Sequence, residues 1–272
     1  MRAILADIGG SKMRLALNTI IPLDPTHLDT PHSYNDGLAL IVATAQKLVG
    51  DTPLDYFIAG VPGVLSYNKR SLAHAPHLPD WEGKALADDI ERMLSCKVLL
   101  ENDTALVGLG EAHYGAGKGS SIMMYLTIST GVNGVRIVDG SIDRSNEGFE
   151  VGGQYLSHGD ALETFEELVS GTAVFKKFGV HPRELGHDSP VWEELARVTA
   201  IGVHNTILEW SPDIVVLGGS MFNEIGISVP RVEAILLTIM HKFPTIPPLV
   251  HSQLKDDGGL YGALVMTQHN RG

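Results

Sequence analysis

The sequence predicts an α/β protein made of two domains of related design. Strand-like and helix-like apolar spacings alternate along the chain, and two cycles of that alternation each open with a glycine-tipped hairpin. A length of 272 residues, 44% of them hydrophobic and 19% charged, supplies one large or two ordinary cores. The mean hydropathy of +0.08 excludes disorder as the main state.

In chain order, Ala3 to Asp7 reads as a buried strand, Gly9-Gly10-Ser11-Lys12 as a turn and Met13 to Asn18 as the returning strand. Leu38, Ile41, Val42, Ala45 and Leu48 recur at helical spacing within Gly37 to Val49. Tyr56 to Ala59 is a central strand running into Gly60-Val61-Pro62-Gly63. Trp81 to Leu94 repeats the helical pattern, with Leu86, Ile90 and Leu94 on one face. Lys97 to Leu100 is a strand entering Glu101-Asn102-Asp103, and Thr104 to His113 follows as a helix.

The second cycle has a strand at Ser121 to Ile128, a turn at Ser129 to Gly134 and a returning strand at Val135 to Val138. Helices are expected at Gly159 to Ser170 and Val191 to Trp210, with a strand at Asp213 to Leu217 ending in Gly218-Gly219-Ser220. A last helix is expected from Gly259 to Thr267. The repeat places an N-terminal domain at 1–108, completed by a returning helix at 257–272, and a C-terminal domain at 109–256. Ligands are expected where strand ends and glycine turns converge, in a cleft between the domains.

Lys and Arg total 20 against 32 Asp and Glu, a net charge of -12 that repels nucleic acid, and no basic stripe offsets it. Cys96 is the single cysteine, so an intramolecular disulfide and a CxxC zinc site are both excluded. No stretch approaches the roughly 18 apolar residues of a membrane span. The expected setting is cytoplasmic, with no membrane and no nucleic-acid partner.

Glycine takes positive φ cheaply and presents no side chain, so turns of glycine and hydroxyl residues can aim backbone N–H groups at a phosphate. Gly9, Gly10, Ser11 and Lys12 form one such turn. Thr130, Gly131, Asn133 and Gly134 lie in the other, at the matching place of the second cycle. Ordinary hairpin turns are the competing reading of either alone. Gly218 and Gly219 would let a flat base approach the backbone, or would simply make a tight turn. Asp103, at a strand end before a helix, is either an N-cap or a base able to take a proton from an attacking hydroxyl.

These residues fall in longer segments, DIGGSK, GVPG, LPDW, ENDTA, LTISTGVNGV, EVGG, PDIVVLGGS and DDGGLYGA, in that order along almost the whole chain. In this the sequence resembles the ROK family of sugar kinases and sugar-responsive repressors, within the actin, hexokinase and Hsp70 superfamily. The resemblance implies a two-domain actin-like ATPase (ribonuclease H-like) fold and ATP-dependent phosphorylation of a sugar hydroxyl. Asp103 matches the general base and Asn102 a neighbouring sugar contact. Asp7 matches the acid that orients Mg²⁺ through water, the two turns match the phosphate segments, and Gly218-Gly219 matches the adenosine segment. Glu150 and Glu163 match two sugar-binding carboxylates, while Gly63 and His77 fall in the sugar loop. A homodimer is implied as well.

Three departures stand out. Gly153 replaces the usual histidine of GEIGH, the cysteine-rich zinc loop is shortened without any cysteine, and His77 replaces the usual asparagine. A structural zinc site is therefore not expected. His158, in the shortened loop, is a candidate substitute for the lost histidine. His74 with His77, and His181 with His187, are read as solvated loop residues rather than metal ligands. A non-catalytic sensor of sugar or nucleotide on the same fold, or a kinase of a non-sugar acceptor, is the alternative.

Overall fold

The computed structural model describes residues 1–157, 162–223 and 225–269. They form two compact units, one within residues 1–110, 144–148 and 256–269 and the other within residues 111–143, 149–157, 162–223 and 225–255.

The first unit is built on β1 (Ala3–Ile8), β2 (Lys12–Leu17), β3 (Thr26–Asp29), α1 (Tyr34–Val49), β4 (Tyr56–Val61), β5 (Val64–Leu65), β6 (Leu72–His74), α2 (Leu86–Leu94), β7 (Lys97–Asn102) and α3 (Asp103–Tyr114). Its sheet runs β3-β2-β1-β4-β7, with β5 and β6 paired as a separate ribbon. Pairing is antiparallel from β3 to β1 and parallel from β1 to β7. Central position explains the almost wholly apolar AILADI of β1, which is covered on both faces. The apolar stripe of α1, with Leu38, Ile41, Val42, Ala45 and Val49 buried, packs in the same core as Phe57, Trp81 and Ile90.

The helix expected over Trp81 to Leu94 is broken. A 3₁₀ turn covers Pro79–Trp81 and α2 starts only at Leu86. Gly83 intervenes at φ 70°, which no α-helix accommodates. Trp81 itself is withdrawn into the core, donating from its indole N–H to the Pro31 carbonyl at 3.3 Å and meeting Tyr34 edge-on at 5.7 Å.

The second unit contains β8 (Ile122–Ile128), β9 (Val132–Val138), β10 (Ser141–Ile142), α4 (Phe165–Val169), α5 (Gly171–Phe178), α6 (Val191–Trp210), β11 (Ile214–Gly218), α7 (Val229–Ile239) and β12 (Leu249–His251). Its sheet order is β10-β9-β8-β11-β12. Antiparallel pairing on one side of β8 and parallel pairing on the other repeat the first sheet strand for strand. The duplicated design read from the two hairpins is thus a duplicated topology.

Two further expectations are corrected here. Val132, Asn133 and Gly134 belong to β9 and pair with Ile128, Thr127 and Leu126, so the turn shrinks to Ser129–Gly131. The Ser129 amide donates to the Gly131 carbonyl at 2.8 Å, which closes the hairpin one step earlier than the glycines imply. The helix expected over Gly159 to Ser170 is reduced to Phe165–Val169, because Thr164 and Glu167 form a reciprocal capping box that sets its start. Residues 158–161 lie outside the described residues, and His158 with them. Ser170 both ends α4 and caps α5. The structure adds α5, α7 and the short edge strands β3 and β12 to the elements read from periodicity.

α8 (Gly258–His269) returns to the first unit and packs on β1 and β4. Glycine permits this approach: a Cβ at Gly262 would stand 1.9 Å from the Leu106 carbonyl oxygen of α3. Gly262→Ala should therefore lower stability by about 2 kcal/mol or more through overpacking against backbone that cannot move aside. A urea melt by circular dichroism checks this; an unchanged midpoint would show that α8 yields freely.

Candidate functional site

Asp7 stands near the end of β1, paired across the hairpin with Arg14 of β2. Arg14 Nη1 donates to Asp7 Oδ2 at 3.0 Å, and its Nη2 lies 3.5 Å from Asp256 Oδ2. Burial pushes the Asp7 carboxyl above its ordinary range; Arg14 opposes this by charge and hydrogen bond, and Asp256 and Asp257 add to the rise. Gly259 of α8 packs directly on this carboxylate, where a Cβ would stand 2.9 Å from it.

The Arg14 guanidinium thus contacts two carboxylates, and Asp257 adds negative charge near Asp7. No group of three or more His, Cys, Asp or Glu side chains able to hold a metal by themselves occurs among the described residues. Mg²⁺ favours one or two carboxylates supplemented by waters and substrate phosphates, and the surroundings of Asp7 fit that mode.

Beyond β1 the turn Gly9–Lys12 closes by a bond from the Gly9 amide to the Lys12 carbonyl at 2.8 Å. Lys12 directs its side chain to an ion pair with Asp29 on the neighbouring strand, so its contribution to the turn is its backbone. Gly10 abuts the sugar loop of the resemblance: a Cβ there would fall 2.6 Å from Cβ of His77. His77 itself is exposed. Glu82, which sequence reasoning passed over, accepts from the Ala75 amide at 2.6 Å and lies 3.1 Å from His74 Nδ1, bracing that loop.

Asn102 and Asp103 sit at the junction of β7 and α3. Asn102 Oδ1 accepts from the Ala105 amide at 3.0 Å, the bond of an N-cap, while its Nδ2 donates to the Gly63 carbonyl at 3.1 Å. The capping role considered for Asp103 therefore belongs to Asn102. Asp103 is the first residue of the helix, and its Oδ1 accepts from the Thr104 amide at 2.7 Å. Gly60 passes so close that a Cβ there would lie 3.2 Å from Asp103 Cα. Gly63, at φ 85°, has the His74 carbonyl oxygen 2.2 Å from where a Cβ would be. Glycine at both positions is a steric requirement of this junction. Glu101, the preceding residue, is buried; its Oε1 accepts from the Asn102 amide and its Oε2 pairs with Lys69.

In the second unit the turn Ser129–Gly131 is held from α5, where the Gly171 amide donates to the Ser129 carbonyl at 2.7 Å and Thr172 Oγ1 to the Thr130 carbonyl at 2.7 Å. Asn133 Oδ1 accepts from the Gly134 amide at 2.7 Å, and Gly134 lies against the Tyr125 carbonyl. Glu166 sets its Oε2 on the Val132 amide at 2.8 Å and against Gly131. Of the two expected carboxylates, Glu150 is exposed beside a 3₁₀ turn at Val151–Gly153, and Glu163 lies with Glu167, Lys177 and Glu194 around a separate groove of about 210 Å³. The carboxylate brought to the turn is thus Glu166, which no local pattern marks.

Gly218 and Gly219 have local reasons to be glycine. A Cβ on Gly218 would meet the Tyr125 hydroxyl at 2.4 Å, and Gly219, at φ 93°, the Ile128 carbonyl at 2.2 Å. Among the remaining histidines, His181 caps a 3₁₀ turn through the Arg183 amide at 3.2 Å, and His187 is exposed.

Two sheets of identical order, each ending its first hairpin in a small-residue turn, define an actin-like ATPase fold. The sequence pattern of the ROK family matches residues 4–270, and the chain belongs to that family. It is similar to the glucokinase of Thermotoga maritima, with 24% identity over 97% of this chain and 96% of that one. The ROK hexokinase from Thermus thermophilus superposes with a TM-score of 0.83 at 24% identity, covering 100% of both chains. A ROK family glucokinase from Streptomyces griseus, solved in complex with glucose and AMPPNP, gives a TM-score of 0.82 at 20% identity over 99% of this chain and 100% of that one. No helix among the described residues is long and apolar enough to cross a membrane.

The raised Asp7 has a consequence for stability. An acid held above its unfolded value favours its neutral form in the fold, so the fold loses stability as pH rises through that value. Asp7→Asn should melt higher than wild type at pH 7, by about 1 kcal/mol, with the gap narrowing in acid. Equal pH dependence of the two melting curves would show that Arg14 fully compensates the burial.

Proposed function

We propose that this protein is an ATP-dependent kinase of a sugar hydroxyl, with Asp103 as the general base. The observation that carries the reading is the junction at Asn102-Asp103, where Asn102 does the work of the helix cap and Asp103 is left at the helix start beside the glycine loop 60–63. Membership of the family and the likeness to a glucokinase holding glucose and AMPPNP support it.

In this reading the substrate hydroxyl gives its proton to the Asp103 carboxylate as its oxygen forms a bond to the γ-phosphorus and the bond to the β-phosphate oxygen breaks, releasing ADP. Asn102 and Gly63 hold the acceptor side, with His77 taking the place of the family's usual asparagine. Glu150 and Glu163 are the carboxylates the resemblance assigns to the sugar. The amides of Gly10 to Lys12 and of Thr130 and Gly131 receive the phosphates, and Gly218-Gly219 the adenosine. When bound, Mg²⁺ would be oriented by Asp7 through water and would neutralise charge on the transferring phosphates. A cytoplasmic homodimer completes the proposal.

A coupled ADP-release assay with ATP and Mg²⁺ over hexoses, hexosamines and N-acetylated sugars tests it. Sugar-dependent turnover is expected, and Asp103→Asn should lower it about 10²- to 10⁴-fold with an unchanged melting temperature. Turnover by that variant equal to wild type would remove Asp103 as base. Silence across the panel with AMPPNP still bound would favour the sensor, for which the substitution at Gly153 is the specific observation.

A further inference from the structure

A trans peptide unit is planar, with the C=O of one residue and the N–H of the next pointing in opposite directions. Whatever holds the carbonyl of residue i from one side therefore aims the amide of residue i+1 to the other. In the first turn the carbonyls of Gly9 and Ser11 are both held by one residue, Thr30. Its Oγ1 donates to Gly9 at 2.9 Å and its amide to Ser11 at 3.0 Å. The amides turned to the opposite side are those of Gly10 and Lys12.

The second turn uses the same arrangement from a different part of its own unit. The Gly171 amide holds the Ser129 carbonyl and Thr172 Oγ1 holds the Thr130 carbonyl, each at 2.7 Å. This aims the amides of Thr130 and Gly131 away from α5. In both units one backbone amide and one threonine hydroxyl share the task. Thr30 is 6% exposed, and its segment is anchored further along by the Trp81 indole on the Pro31 carbonyl and by the Tyr34 amide on Asp80 Oδ2 at 2.8 Å. Thr172 is exposed at the start of α5.

We infer that Thr30 and Thr172 are positioning residues for the phosphates of the nucleotide, each acting through the carbonyls of one turn and neither touching the ligand. The inference rests on the kinase reading, and it extends that reading to two residues outside the turns. A turn whose carbonyls are free rotates its peptide planes and presents oxygen lone pairs to an anion; holding two carbonyls back keeps the following N–H groups forward, beside Glu166 Oε2 in the second turn. A valine in place of threonine keeps the shape and loses the hydroxyl, whereas serine keeps the hydroxyl.

The test is calorimetric titration of AMPPNP with Mg²⁺ into the full chain and into Thr30→Val, Thr172→Val, Thr30→Ser and Thr172→Ser, with a melting curve for each. Loss of one hydrogen bond predicts about tenfold weaker binding for each valine variant. The serine variants should stay within about twofold of wild type, whatever they lose in melting temperature. A valine variant that binds as wild type overturns the inference, as does a serine variant that falls as far as its valine counterpart. Should the buried Thr30→Val fail to fold, the exposed Thr172 pair decides. Wild type failing to bind AMPPNP overturns the kinase reading itself, a result distinct from equal binding by wild type and valine variants.

Discussion

The side-chain amide of Asn102 is the constraint on which the first unit's chemistry depends. One planar group caps α3 through Oδ1 and holds the Gly63 carbonyl through Nδ2, joining the end of β7, the start of a helix and the loop after β4. Both glycines of that loop are forced by the same closeness, since a side chain at Gly60 or Gly63 would strike Asp103 or His74. Asp103 is oriented because everything around it is. Asp103 itself keeps a bond at the helix start, its Oδ1 accepting from the Thr104 amide at 2.7 Å.

Charge is arranged with the same economy. Arg14 on β2 pairs with Asp7 on β1 and with Asp256 at the entrance to α8, and Asp257 adds its charge near Asp7, so carboxylates outnumber the cation. Burial of Asp7 against Gly259 works against its ionised form. Keeping a carboxylate there costs the fold stability.

Much of this could be read from the sequence. The two glycine-tipped hairpins announced a duplicated α/β design, and the ENDTA, DIGGSK and DDGGLYGA segments announced where acids and glycines would gather. Periodicity located β1, β4, β7, β8, α6 and α8 because each buries a long apolar face. It missed β3 and β12, which are edge strands too short to alternate clearly, and it ran a helix from Trp81 through Gly83 because Leu86, Ile90 and Leu94 recur at four-residue spacing beyond it. Glu163 was read from the resemblance, whereas the bond from the Val132 amide to Glu166 joins residues 34 apart, and no local pattern marks it.

The sequence by itself determined the class of fold, the family and the residues of the first turn, since these follow from apolar spacing and from residue types that few backbones tolerate. Tertiary structure alone decided which groups meet. That Asn102 holds the Gly63 carbonyl, that Thr30 and Thr172 hold the turn carbonyls, and that Arg14 lies between Asp7 and Asp256 are all contacts between segments remote in the chain. No local pattern encodes them, because a hydrogen bond between distant residues exists only once strand register and helix packing have set both partners at bonding distance.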